Sequence, residues 1–304
     1  MTEPKLQHIV PKTYLRRFQI DNDSDRNKVW CVDLENRYRQ KPEIKGINDK
    51  VFKLKHFYTN SLLEEKYGLE KFFAHKLEPT YNEIMTEVDT ETNLSEDIRI
   101  KIFQWLFYTK IRSSDFRRQA KNVTKSLTEM FLQFDLKKNE SKLSIDHFEK
   151  DINDYSDTVS KDLLFNSLYD GKNFNDLFAK YYDNLVTKEW VIYKTIPEYP
   201  FISSDNPGFS LNWTKFYNQR PFHGVIHLNH PSFNFFILSP RYCLYMQPFK
   251  EGVDVKINAL NMEIRYEPIS NGLVDYINFG AYYTSNKLIY SNKMEMIEKW
   301  TNKN

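Results

Sequence analysis

The sequence predicts an α+β fold, with a helical middle layer packed with an antiparallel, aromatic-rich sheet built mainly from the C-terminal half plus N-terminal strands. Three observations predict it. Apolar residues between Ser61 and Leu185 recur at helical spacing, whereas after Trp190 they come in short aromatic and β-branched runs. Pro197, Pro207, Pro221, Pro231, Pro240 and Pro248 punctuate those runs, and short strands joined by proline-bounded loops suit antiparallel pairing better than βαβ units. Finally, 23 Phe and 20 Tyr stand against 8 Gly. Large rings can fill a core with few residues, while scarce Gly leaves little from which to build a phosphate loop. Neither GxGxxG nor a Walker-type segment is present.

The elements follow in order. His8 to Phe18 is an apolar opening segment in which Pro11 can start a helix. Asp21 to Asn27 is a polar loop. Val29 to Val32 and Arg37 to Arg39 read as short strands around a turn at Glu35-Asn36. Ser61 and Glu64 have capping-box spacing ahead of a stripe of Leu62, Leu69, Phe72, Phe73 and Leu77, and Pro79 predicts a kink or break. The clearest helix is capped by Ser95 and carries Ile98, Ile102, Phe103, Leu106, Phe107 and Ile111. It continues, bent or broken at Ser113-Ser114, to Phe134. Shorter helices are expected from Ser144 and over Phe174 to Leu185. Strands are expected at Trp190–Tyr193, Pro200–Ser203, Phe233–Leu238 and Tyr242–Met246. A helix over Gly272–Tyr283, a strand Lys287–Tyr290 and a helix Lys293–Trp300 close the chain. Without a linker or repeat, all 304 residues are expected to form layers of one domain.

Composition excludes several classes. The net charge of +2 gives no global preference for a polyanion, so a nucleic-acid or nucleotide partner needs a local patch. Cys31 and Cys243 make neither a disulfide framework nor a zinc cluster, which fits a reducing cytoplasm. No signal peptide is expected. The longest apolar stretch, Phe235 to Leu238, is far too short to span a bilayer, so no membrane partner is expected.

Four segments could carry chemistry. The opening segment docks His8 against the core, where it can serve as general acid or base or simply hydrogen-bond a neighbouring carbonyl. Phe201 to Gly208 runs a buried strand into Ser-Asp-Asn-Pro-Gly, which is either a side-chain-capped turn or a held pair of Asp205 and Asn206. Arg99 to Lys125 holds eight cations against Asp115 alone, so it is either a phosphate-binding face or a solvated helix surface. Arg112 follows the apolar stripe directly and needs a partner, either an anionic ligand or an internal carboxylate such as Glu78, which is grouped with the ligand-facing residues. His223, His227 and His230 invite a metal reading, but Gly224 and the flanking prolines favour strand or loop, and no HExxH glutamate is present. Neither a metal nor a cofactor is expected.

The chain resembles a family of microbial proteins, domain-of-unknown-function family 4238. His8-Ile9-Val10-Pro11 with Tyr14-Leu15-Arg16 and Phe18 is similar to its H-x-V-P-x-x-Y-L-(R/K)-x-F pattern. Phe201 to Pro207 is similar to its F-(I/V)-(T/S)-S-D-N-P, and Leu238-Ser239-Pro240 to its P-L-S-P. Where the family often has Gln three residues before the helix Arg, this chain has Thr109. The resemblance implies a shared fold and pocket, and its polar residues are those singled out above. The resulting expectation is a hydrolase acting on a phosphodiester or nucleotide, such as a nuclease in a defence or toxin setting. In it His8 and Asp205 do acid–base chemistry, Arg112 and Arg16 bind phosphate, and Asn206 and Tyr14 hold substrate. The alternative is a non-catalytic ligand- or protein-binding module whose His/Asp/Arg network is structural.

Overall fold

A computed structural model of the chain describes residues 6–35, 41–55, 57, 68–139, 144–169, 171–212, 232–249 and 259–301. The fold is α+β, and among the described residues the strands divide into three sheets rather than one. Strands β1 (Leu6–His8) and β4 (Lys53–Lys55) form an antiparallel pair with His8 opposite Lys53. Helix α1 (Lys12–Arg17) starts directly after Pro11, whose fixed φ suits a helix entry. A four-stranded antiparallel sheet runs β3-β2-β11-β6, from β2 (Lys28–Asp33), β3 (Glu43–Gly46), β6 (Ser203–Ser204) and β11 (Leu288–Ser291). N-terminal and C-terminal strands therefore share this sheet.

The larger sheet is ordered β10-β5-β9-β8-β7, from β5 (Lys188–Lys194), β7 (Gly208–Asn212), β8 (Ser232–Ile237), β9 (Tyr242–Pro248) and β10 (Arg265–Pro268). Its inner pairs are antiparallel, as the proline-bounded hairpins predict, but β10 joins β5 in parallel. One face carries rings from four adjacent strands. Phe209, Phe235, Tyr245 and Tyr193 follow one another at centroid spacings of 4.9, 4.8 and 5.0 Å. Such cross-strand aromatic pairs hold register.

The helical middle comprises α2 (Gly68–Phe72), α3 (Glu78–Val88), α4 (Glu96–Arg112), α5 (Ser114–Lys138), α6 (Glu149–Tyr169) and α7 (Gly171–Val186). Pro79 does not break the chain's course. A single π-helical turn, Phe73–Leu77, links α2 to α3, and Pro79 sits in the first turn of α3, where its missing N–H costs little. Ser95 caps α4 by accepting from the Ile98 N–H. α6 is much longer than the short helix expected from Ser144. Helices α8 (Asn271–Tyr283) and α9 (Met294–Thr301) close the fold. The strand expected at Arg37–Arg39, the Ser61/Glu64 capping box and the His223–His230 segment lie outside the described residues. Among the described residues, no helix is long and apolar enough to cross a membrane.

One contiguous set of buried apolar side chains runs from Ile9 to Ile297. At its centre the Tyr14 ring lies 5.2 to 5.6 Å from those of Phe18, Tyr81 and Trp105. Phe103 meets Trp190 at 4.7 Å and fastens α4 to β5. The helical and strand regions thus share one core, and the opening segment is buried inside it.

Candidate functional site

Helix α4 ends at Arg112 because Ser113 turns extended (φ −65°, ψ 146°) and becomes the N-cap of α5, accepting from the Phe116 N–H at 3.2 Å. That break aims three neighbouring side chains at the two sequence motifs. Lys110 Nζ donates to Asn206 Oδ1 at 2.8 Å and to the Gly208 carbonyl at 2.5 Å. Arg112 Nη2 donates to the His8 carbonyl at 2.5 Å, and its guanidinium lies over the Phe73 ring, 5.0 Å from the centroid. Ser114 Oγ donates to Asp205 Oδ2 at 3.2 Å. The helix junction is the clamp that joins the opening segment to the Ser-Asp-Asn-Pro bend.

The bend itself is sealed. Asp205 is 3% exposed. Its Oδ1 accepts from the backbone N–H groups of Asn286, Lys287 and Leu288 at 3.0, 3.2 and 3.3 Å, and Oδ2 accepts from Lys287 N–H and Ser114. Burial pushes its carboxyl above the usual range, while these donors favour the anion and oppose the shift. Asn206, also buried, donates from Nδ2 to the Thr284 carbonyl at 3.1 Å, and its backbone N–H donates to Ser204 Oγ at 3.0 Å. Gly208 is required: a Cβ there would sit 2.4 Å from Phe236 Cδ1 and 2.8 Å from the Phe235 carbonyl oxygen. The bend is both the capped turn and the held pair that the sequence left open, and what it holds is the protein's own backbone.

The remaining sequence-predicted residues divide sharply. Tyr14, expected to hold substrate, is instead a core anchor. Its hydroxyl donates to the Ile237 carbonyl at 2.5 Å and accepts from Ser203 Oγ at 2.8 Å, with no exposed surface left for a ligand. Glu78, expected to face Arg112, accepts from the Lys12 N–H at 3.3 Å in the first turn of α1. The carboxylate whose charge Arg112 steadies is Glu70, raised by burial, drawn down by Arg112 and raised again by Glu78. Arg16 is exposed on α1. His8 is half-buried. Its Nε2 lies 3.2 Å from the Ile47 carbonyl, which can only accept, so that nitrogen carries the proton and Nδ1 keeps a lone pair. Burial, helped by the nearby charges of Lys53, Arg112 and Lys12 and opposed by that hydrogen bond, lowers the imidazole to about 4. It is neutral at physiological pH. Among the described contacts, His8 and Asp205 do not touch each other.

The Arg99–Lys125 run does not assemble into a phosphate-binding face. Arg99 is buried on the carbonyls of Leu94 and Ala259 and on Asn93 Oδ1. Lys101 pairs with Glu83 and Asp97, Arg117 and Lys121 with Asp157, and Lys125 with Glu129. Sequence reasoning missed Lys110 and Ser114 as site residues. A signal existed for Lys110, which lies one turn beyond Leu106 and Phe107 on the apolar stripe, where a solvated lysine would not belong.

Beside the clamp lies an open hollow of about 470 Å³, lined by Lys41, Lys45, Lys50 and Lys287 with Asp33, Glu43 and Asp49, and by Leu6 and Cys31. Leu6 and His8 share one side of β1, and Ile47, the acceptor for His8, sits between the lining residues Lys45 and Asp49. Lys287 lines the same hollow while its N–H holds Asp205. Leu6 and Lys287 thus bring neighbours of both motifs into the lining, whereas His8, Asp205 and Asn206 are not part of it. A smaller hollow of about 210 Å³ includes Arg17, Asp89, Ser239, Pro240 and Arg241, but Arg17 is bound to Asp89 and Arg241 to Glu91. Cys31 and Cys243 are buried and their thiols are pushed up by that burial, so neither is a ready nucleophile. Among the described residues, no group of three or more His, Cys, Asp or Glu could hold a metal ion.

Fold and site together define an α+β protein in which a sealed polar clamp stands beside an open, charged hollow. The chain belongs to the family described as protein of unknown function (DUF4238), which it matches over residues 6–295. Neither a curated protein nor a solved structure matches it.

Proposed function

We propose that the chain is a binding module for a small anionic ligand of phosphate type, received in the lysine-lined hollow, one wall of which the buried Asp205 holds through the Lys287 N–H. The observation that carries this reading is the contrast between Asp205, whose two oxygens are occupied by internal donors, and the hollow beside it, which is open. A carboxylate so occupied has no lone pair to spare for chemistry. Lys45 is tied to Glu43 at 2.6 Å and Lys287 to Glu35 at 3.2 Å, so the lining is close to neutral and Lys41 and Lys50 are its remaining cations. That balance suits a small anion better than a nucleic acid, whose affinity depends on many phosphate contacts at once. Titration calorimetry with inorganic phosphate and adenosine monophosphate tests the reading. Binding of either should weaken at least about tenfold in Lys50→Glu and Lys287→Glu, a loss of ~1.4 kcal/mol. Absence of binding, or binding indifferent to both changes, overturns it.

A second reading, hydrolysis of a phosphodiester or nucleotide, has one observation in its favour. His8 lies on the hollow's side of β1 with its tautomer set and Nδ1 able to accept a proton. An imidazole held near 4 is a weak base and cannot act as a general acid at neutral pH, and Asp205 does not orient it. Turnover of bis(p-nitrophenyl) phosphate that disappears in His8→Ala while the melting temperature holds would favour this reading. Turnover unaffected by His8→Ala, or none in the wild type, would remove it.

A further inference from the structure

Helix α5 carries an apolar seam that nothing among the described residues covers. Val123, Leu127, Met130 and Phe134 are spaced four, three and four residues apart, the a/d repeat of a helix that packs against another helix. With neighbouring Phe131 they are 48% to 70% exposed. Another side of α5 is engaged with α6, where Arg117 and Lys121 reach Asp157. The seam is thus not the side by which α5 is fastened to α6.

We propose that this seam is a homodimer interface, in which α5 packs against α5 of a second copy of the chain. Two features point to a second copy rather than another protein. The residues bordering the seam are Ser126 and Gln133 on one side and Thr124 and Phe131 on the other, all uncharged. Two identical seams can therefore meet without like charges facing each other, whereas no charge is offered to select an acidic or basic partner. Lys125 and Glu129, off the seam, neutralise each other at 3.7 Å. The area also fits. Five large side chains offer roughly 100 Å² each, since a fully buried aromatic covers about 150–250 Å². Two copies then bury about 1,000 Å², the lower bound of a specific interface. An isologous twofold contact satisfies both patches at once, and a monomer would leave an unusually large apolar strip in water. Lys137, the next position of the repeat, ends the seam.

Sedimentation velocity on the 304-residue chain tests this independently of any ligand. The wild type should sediment at twice the 36.6 kDa chain mass. Leu127→Glu/Phe134→Glu should raise the dimer dissociation constant at least about 100-fold, ~2.7 kcal/mol, with unchanged far-ultraviolet circular dichroism. Should the charged variant fail to fold, Leu127→Ser/Phe134→Ser gives the same readout with a smaller perturbation. A monomeric wild type, or a dimer that ignores both variants, overturns the proposal.

Discussion

Asp205 and His8 come from the two most distinctive motifs of the sequence, yet they occupy opposite physical situations. Asp205 is surrounded by three backbone N–H groups and a serine hydroxyl, all within 3.3 Å. His8 has one carbonyl partner for its ring and remains half-buried at a strand edge. A buried polar group whose partners are complete is framework, because any ligand would first have to displace them. One with spare capacity beside a hollow is available. Burial and partner count, not residue type, separate the two roles.

The largest expected effect lies on the Asp205 side. Asp205→Ala would leave one buried and three half-buried donors without their acceptor and should cost about 3–5 kcal/mol, by analogy with breaking one side of a buried charged pair. Thermal denaturation should show a melting temperature lower by roughly 5–8 °C. Asp205→Asn, which keeps one carbonyl oxygen, should lose less. A melting temperature within a degree of wild type for Asp205→Ala would dissolve the contrast and return this carboxylate to the candidates for chemistry.

Tyr14→Phe comes next. It preserves the ring packing but removes the donor to the Ile237 carbonyl and one partner of the Ser203 hydroxyl, an expected loss of about 1–2 kcal/mol in urea unfolding. Ligand affinity should not change, because the hydroxyl faces no hollow. A variant as stable as wild type but impaired in phosphate binding would move Tyr14 from frame to site.

His8→Gln should be nearly neutral in stability at pH 7 but should change the pH profile. The folded imidazole is held at about 4 while the unfolded one titrates near 6.5. Between those values the unfolded chain takes up a proton that the folded chain refuses, so stability falls as pH drops from 6.5 toward 4. Removing the imidazole should flatten that part of the wild-type curve, read as the difference between the two proteins in denaturant titrations. Identical slopes would mean that His8 is solvated rather than half-buried. Smallest of all, Arg16→Ala at an exposed position should stay within about 0.5 kcal/mol of wild type.

Local structure was legible in the sequence wherever it rests on neighbours along the chain. The Ser95 cap, the break at Ser113-Ser114 and the change from helical period to short aromatic strands are written in adjacent residues, and each stands where it was expected. Pro79 was legible as a perturbation but not in its form, since a π turn before it absorbs the missing hydrogen bond. The parallel joining of β10 to β5 was not legible, because pairing direction depends on how distant strands meet.

The site was legible in its membership more than in its roles. His8, Arg112, Asp205 and Asn206 do gather around one helix junction, but Tyr14 and Glu78 took structural partners and Lys110 was overlooked. By itself, the sequence determined which segments become helix or strand and which polar residues stand apart from the packing pattern. Only the tertiary structure decided what those residues hold. Asp205 is satisfied by N–H groups of Asn286, Lys287 and Leu288, some eighty positions away, and Tyr14 by Ile237 more than two hundred away. Every residue here except proline carries a backbone N–H, and every residue carries a carbonyl, so side-chain identity cannot announce which of them will close around a buried group.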